Sequence, residues 1–506
     1  MPSMPKRLGS AAMNEIHSMI KTRLFKRLAA SAAVLLAGCS MIPAYERPAS
    51  PIATDWPALS ATAAEPSPAG NGKAAADTEW QSFFSDAQLR QLIDAALRNN
   101  RDLRIAVFNI AQARAQFQIR RADQFPTVGG AVTGSRQPGP NDSITSVYTA
   151  GLAMTSYEID FFGRIASLKE AALSQYLATE EGRKSAQISL VAAVANTYLG
   201  LLADEELIGI TRQTLATRED SFRLSQLRFD NGVSSELDVR QAESLIEAAR
   251  VSLAQLTRQR ALDQNALVLL LGQPAIGELA VALPAGKGLA DMPVMTDVPA
   301  GLPSDLLTRR PDVRQAEQLL LASNANIGAA RAAFFPNISL TASAGSASSH
   351  LGDLFKSGSF GWTLAPKLFL PIFDAGRNRA ALASATVLRD IAVAQYEKSI
   401  QIAFREVADA LAGSATLGEQ LRAQQAQANA EGIRYRLSNL RYQGGIASQL
   451  DLLDAQRSLF TAQQAVVQTR LAQLQSQVTL YKALGGGWTE PAEAAPVTNA
   501  ALPPGP

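Results

Sequence analysis

Arg331-Ala332-Ala333-Phe334-Phe335-Pro336 ends a helical pattern, and the residues beyond it change period: Ile338, Leu340, Ala342 and Ala344 alternate with Ser339, Thr341 and Ser343. Proline stops a helix because it lacks the N–H and its ring crowds the carbonyl one turn back. A period of two then belongs to a strand with one apolar and one polar face. The same junction stands 210 residues earlier as Arg121-Ala122-Asp123-Gln124-Phe125-Pro126. Further along, Asp160-Phe161-Phe162-Gly163-Arg164 answers to Phe373-Asp374-Ala375-Gly376-Arg377, and Leu227-Arg228-Phe229-Asp230-Asn231-Gly232-Val233 to Leu440-Arg441-Tyr442-Gln443-Gly444-Gly445-Ile446, both at an offset of 213. Leu271-Gly272 and Leu484-Gly485 close the copies at that same offset. Matches in one order at nearly constant spacing mark a tandem duplication.

Each half has one grammar. A helix comes first and a pair of strands follows, expected at about 127–136 and 146–160 in the first half and 337–346 and 359–371 in the second. In the last of these, Phe360, Trp362, Leu364, Leu368 and Leu370 fall on one face and Thr363 and Lys367 on the other. A long helical hairpin completes each half. From Gly376 to Tyr442 no proline interrupts a seam of Val393, Tyr396, Ile400, Phe404, Val407 and Leu411, a coiled-coil-like spacing. Glycines near 231–234 and 444–447 fit the left-handed residue that ends a helix and turns the chain back. The expected organisation is a signal at 1–38, a Pro/Ala-rich linker at 39–78, one repeat at 79–275, a connector at 276–300, a second repeat at 301–488 and a disordered tail at 489–506.

Lys21, Arg23, Lys26 and Arg27 precede an apolar stretch, Leu28 to Gly38, that ends at Cys39, the one cysteine of the chain. Basic residues, a short apolar core and small residues before a cysteine read as an export signal. Leu36-Ala37-Gly38-Cys39 is similar to a bacterial lipobox, which implies cleavage before Cys39 and its acylation, palmitate included. Ser40 after the cysteine implies sorting to the outer membrane. Met19 is the alternative start. The full chain of 506 residues carries a net charge of +2, and the loss of six basic residues and one acidic residue with the signal turns this into −3. No later segment offers 18 consecutive apolar residues, so membrane entry is expected through strands or lipid.

Composition excludes much. A near-neutral charge gives no footprint for nucleic acid. With one cysteine and two histidines, His17 and His350, the chain lacks the ligands for cysteine-based zinc or iron–sulfur sites and most of the means for imidazole catalysis. There is no G-x-S-x-G elbow, and nothing places two acids across a cleft. No catalytic residue, cofactor or metal is expected, and the chain is read as a non-enzyme.

Four amphipathic strands cannot close a barrel in lipid, where open edges leave backbone groups unsatisfied. Transmembrane barrels take about eight strands or more. Three chains would supply twelve, so a homotrimer is the smallest assembly expected to close a wide barrel. The resulting class is an α+β membrane protein with four transmembrane strands and a share of an α-helical barrel per chain. Here the sequence resembles the outer-membrane efflux factor family, the TolC- and OprM-like export ducts, in their lipoprotein branch. The resemblance covers roughly residues 41–488 and is most specific at 301–314, Gly-Leu-Pro-Ser-Asp-Leu-Leu-Thr-Arg-Arg-Pro-Asp-Val-Arg, read here as a structural marker.

The resemblance implies a duct of a tripartite efflux system, lipid-anchored in the outer membrane and extending into the periplasm. It would pass drugs or other small molecules from an inner-membrane, proton-driven pump and a periplasmic adaptor to the exterior. It places Leu450 in an apolar ring and Asp454 and Asp451 at acidic positions of a periplasmic gate, where a solvated carboxylate on a helix face is the other reading. Arg457, three residues after Asp454, has the spacing to pair with it. Asn231, Gly232, Val233 and Ser234, with Gly444, Gly445, Ile446 and Ala447, are the expected adaptor contacts. Phe360 and Trp362 are open to two readings, a membrane aromatic belt or packing between subunits. The competing architecture is an adaptor-type coiled-coil lipoprotein, which would carry one helical hairpin and flanking soluble β domains rather than two hairpins and two strand pairs.

Overall fold

The computed structural model describes residues 40–58, 73–138, 144–273, 288–293, 295 and 298–488. The signal, Cys39 and the C-terminal tail lie outside the described residues, as do parts of the linker and connector. In chain order the elements are α1 (Trp80–Phe83), α2 (Ala87–Asn99), α3 (Arg101–Ala122), β1 (Val128–Pro138), β2 (Ile144–Ile159), α4 (Arg164–Asp230), α5 (Glu236–Leu271), α6 (Leu306–Arg309), α7 (Pro311–Ala332), β3 (Asn337–Ser348), β4 (Phe360–Phe369), α8 (Arg377–Gln443) and α9 (Gln449–Ala483). The two halves therefore repeat as helix, strand pair and helical hairpin. Both longest helices, α4 and α8, have 67 residues, about 100 Å at 1.5 Å per residue.

The chain divides into two compact units. One comprises Gln112–Tyr176 and Gln318–Val393 with the described part of Met1–Arg47. Its sheet has the order β1-β2-β3-β4, every neighbouring pair antiparallel. The join between the halves is the β2–β3 pair, where Gly151 faces Gly345. The register shifts between Met154 and Tyr157, and Ser156 sits at φ 52°, which marks a bulge. Among the described residues, β1 and β4 are edges with no further partner strand. Their residues are exposed throughout, including Val132 at 80% and Trp362 at 74%.

In the same unit, residues 40–47 lie along α7. The Asn324 amide donates to the Pro43 carbonyl at 2.8 Å, and Arg331 to the Met41 carbonyl at 3.4 Å. Gly328 permits this approach: a Cβ there would stand 2.7 Å from Ile42 Cγ1 and 2.6 Å from Ser167 Oγ. After each strand pair an aspartate starts the next long helix. Asp160 accepts from Ala166 N at 2.7 Å, and Asp374 from Asn378 N at 2.9 Å, which satisfies otherwise orphaned helix donors.

The second unit holds the described parts of Pro48–Ala111, Leu177–Glu317 and Ala394–Pro506. Phe83 stacks on Tyr481 at 4.0 Å, and Leu89, Leu92 and Ile93 of α2 are fully buried, as are Leu267 and Leu271 at the end of α5. Within the linker, Trp56 departs from the expected free extended segment. It is buried, stacks on Phe404 at 5.0 Å and donates its indole N–H to Gly301 O. A large aromatic that buries its ring and finds a carbonyl for its N–H fixes the segment at this point.

The Arg-Arg-Pro-Asp run acquires a physical role here. Arg310 grips both Asp312 oxygens at 2.9 and 2.6 Å, Glu406 of α8 at 2.8 Å and the Ala483 carbonyl at the end of α9 at 3.0 Å. Burial alone would lower its pKa, but Asp312 and Glu406 outweigh burial and raise it. Arg309 pairs with Asp77 at 3.1 Å. One 18-residue window of α4 reaches a mean hydropathy of 1.5, high enough to cross a membrane on length and composition, although no 18 consecutive residues are apolar. Sixty-one per cent of that window is buried inside the protein, so its apolarity is used in packing.

Candidate functional site

The two tips share one geometry. In the first, Gly232 N donates to Phe229 O and Val233 N to Arg228 O, both at 2.8 Å; in the second, Gly445 N donates to Tyr442 O at 3.1 Å and Ile446 N to Arg441 O at 2.8 Å. Gly232 and Gly445 have φ of 72° and 71°. An added Cβ would meet nothing within 4 Å at either position, so the left-handed backbone selects glycine, not space. Beyond each turn a serine opens the return helix. Ser235 and Asp238 form a capping box, and so do Ser448 and Asp451.

This arrangement bears on the expected gate residues one by one. Asp451 accepts from Ser448 N at 3.2 Å and Ser448 Oγ at 2.8 Å. It repeats Asp238 of the first half, and its carboxylate is engaged in starting α9. Leu450 is 59% exposed. Asp454 pairs with Arg434 of α8, which also binds Glu431 at 3.1 Å. The expected Arg457–Asp454 pair is replaced by this one across the hairpin, and Arg457 makes no ion pair among the described residues. The Arg434 pKa is raised, first by its bond to Asp454 and then by that to Glu431.

The hairpins are also tied to each other. The Gln449 amide donates to the Asp238 carbonyl at 2.9 Å, and the Gln456 amide to Ser221 Oγ at 2.8 Å. The Arg228 guanidinium lies 4.4 Å from the Tyr442 ring centroid, a cation–π contact. Arg434, Arg228, Gln449 and Gln456 escape a sequence reading because their partners sit on other helices, at separations that no periodicity encodes. Of the expected tip residues, Val233 and Ile446 are exposed at 74% and 73%. One apolar side chain thus stands largely uncovered at the end of each hairpin among the described residues.

Phe360 and Trp362 lie on edge strand β4 and are exposed. His350, in the loop before β4, meets Ser349 Oγ through its ring, donates its N–H to Ser348 Oγ and accepts from Asp353 N through its carbonyl. Among the described residues no cluster of three or more His, Cys, Asp or Glu side chains is placed to hold a metal. Cys39 falls outside the described residues, but the chain that follows it is held against α7 in the unit that contains the sheet.

An antiparallel sheet with free apolar edges, together with duplicated helical hairpins whose tips are capped and interlocked, defines a channel-forming protein of the outer membrane. The chain belongs to the outer membrane efflux protein family, whose model matches residues 92–273 and 302–486. It is 49% identical over 465 residues, 90% of this chain and 94% of the relative in each case, to the toluene efflux pump outer membrane protein TtgC and to the antibiotic efflux pump outer membrane protein ArpC, both of Pseudomonas putida. Its fold matches the open-state crystal structure of the MtrE outer membrane channel of Neisseria gonorrhoeae with a TM-score of 0.78 and 38% identity, covering 89% of this chain and 98% of that one.

Proposed function

We propose that three copies of this chain close a twelve-stranded β-barrel in the outer membrane and gather their helices into a periplasmic tube, through which small molecules leave the cell. One observation carries this reading: among the described residues the sheet has four strands, and each edge strand lacks a partner on its outer side and is exposed along its length. In hydrocarbon such edges are tolerable only when closed onto another copy. The similarity to toluene and antibiotic efflux proteins supports small, largely apolar cargo. The role is passage alone, with no chemistry on the cargo.

The duct works with an inner-membrane pump, taken to be proton-driven, and with a periplasmic adaptor. The adaptor sits on the tips, where exposed Val233 and Ile446 offer apolar contacts. Acylated Cys39, palmitate included, anchors the chain in the lipid of the outer membrane. Leu450 and Asp454 close the periplasmic end, and Arg434 holds the Asp454 carboxylate in place.

The test is mass and conductance together. Purified mature protein in detergent is expected to scatter light as three chains and to form channels in a planar bilayer. A monomer that forms no channel refutes the reading.

A further inference from the structure

Arg218 of α4 is a buried cation without an anion. It is 3% exposed. One guanidinium nitrogen donates to the Leu245 carbonyl of α5 at 2.7 Å, and the group faces the Phe460 ring of α9 at 5.1 Å. Its Nε has no hydrogen-bond partner. Burial lowers its pKa, and the nearby Arg457 lowers it further. An ion pair would relieve such a charge, yet no carboxylate lines the space beside it.

That space is a cavity of about 90 Å³ bounded by α4, α8 and α9, so it lies between the two helical hairpins. Gln213 and Thr214 of α4, Tyr435 of α8 and Gln463 of α9 line it, all neutral groups with N–H or O–H donors. The Gln456 amide oxygen, also on the wall, is unpartnered too. At about 30 Å³ per water, the volume fits one halide-sized ion with one or two waters. A hydrated anion satisfies both orphans at once: the ion faces the Arg218 Nε–H, and its water donates to the Gln456 oxygen. Divalent oxyanions are larger and bring more charge than one guanidinium balances.

We propose that this cavity is a halide site in which one chloride-sized anion, held by Arg218, joins the first helical hairpin to the second. The residues named for the site all belong to one chain, and none of them is Leu450 or Asp454. Occupancy of the site sets the spacing between α4 and α9, two residues along α9 from Asp454.

The experiment has two readouts on the purified full-length protein. Crystals soaked in sodium bromide are expected to show an anomalous peak within hydrogen-bonding distance of Arg218, and crystals of Arg218→Met to show none there. The wild type is expected to melt several degrees higher in sodium chloride than in sodium gluconate at equal ionic strength, because a ligand of the native state stabilises it. In Arg218→Met that difference vanishes. A wild-type cavity that holds only water in bromide overturns the proposal, as does an equal chloride response in the variant. If Arg218→Met fails to fold, the wild-type bromide peak decides alone.

Discussion

Gly151 and Gly345 face each other across the β2–β3 pair, each filling the space where the other's side chain would be. A Cβ on Gly151 would stand 2.4 Å from Ala344 O and 2.6 Å from the Gly345 Cα; one on Gly345 would stand 2.3 Å from Ala150 O. The obstacles are backbone atoms and cannot swing aside. The two halves of the duplication are thus sewn together at a point that accepts no side chain.

Gly151→Ala and Gly345→Ala are therefore each expected to prevent assembly in the outer membrane. The proposed trimer should be lost on semi-native gels while the helical content by circular dichroism persists. Gly129→Ala, in the same sheet but with open space around it, should assemble normally.

Arg310→Ala removes the one group that binds Asp312, Glu406 and the Ala483 carbonyl. Taking away one partner of a buried ionic cluster costs about 3 kcal/mol or more, and the variant should unfold at a clearly lower denaturant concentration. Arg310→Lys should recover only part of the loss, since a point charge cannot reproduce the paired grip on Asp312.

The Arg434–Asp454 pair is half exposed and is expected to matter little for folding. Its effect is expected on the proposed duct. Arg434→Ala should raise single-channel conductance or open probability several-fold in a planar bilayer, and Leu450→Ala with Asp454→Ala should do so at least as strongly. Conductance equal to the wild type in all of these variants would remove the gate from the account.

Asp204 of α4 is buried, and burial, followed by the neighbouring Asp263 carboxyl, pushes its pKa up to about 7. A carboxyl with a higher pKa folded than unfolded binds its proton more tightly in the native state. Stability from this group is therefore complete in acid and declines as pH rises from about 4 to about 7. Asp204→Asn should melt a few degrees above the wild type at pH 8 and close to it at pH 4. An unchanged pH profile in the variant would contradict this.

Much of the fold is legible because it is written twice. The prolines at 126 and 336, the period of two after them and the glycines at 232 and 445 each announce a local event, and the second copy corroborates the first. The strand ends differ from expectation by only a few residues, at Val128–Pro138 and Ile144–Ile159 in the first half. The seam residues Tyr396, Ile400, Val407 and Leu411 are buried, as their spacing requires. The partners of the candidate site are not legible. Asp451 reads as an acidic ring residue, and its further role in capping α9 shows only when the serine three places earlier is recognised as its partner. Arg434 and Arg218 meet their neighbours through the packing of separate helices, which leaves no trace in one chain's periodicity. The Gly151–Gly345 contact does leave a trace, a glycine inside each of two strand patterns, a usual sign of close backbone approach.

The free edges of β1 and β4 also govern how the duct comes into being. A single chain presents two open edges, and an open row of two or three chains still presents two. Adding a second copy leaves that number unchanged, and only closure of the ring removes both together. Each added copy seals one seam, and closure seals the last seam without recruiting another chain, so the closing step carries no further association cost and open rows should be scarce. Until then the two outer edges of a row stay adhesive. The chain's concentration in the periplasm must stay low, or a chaperone must cover the edges, for ring closure to outrun aggregation.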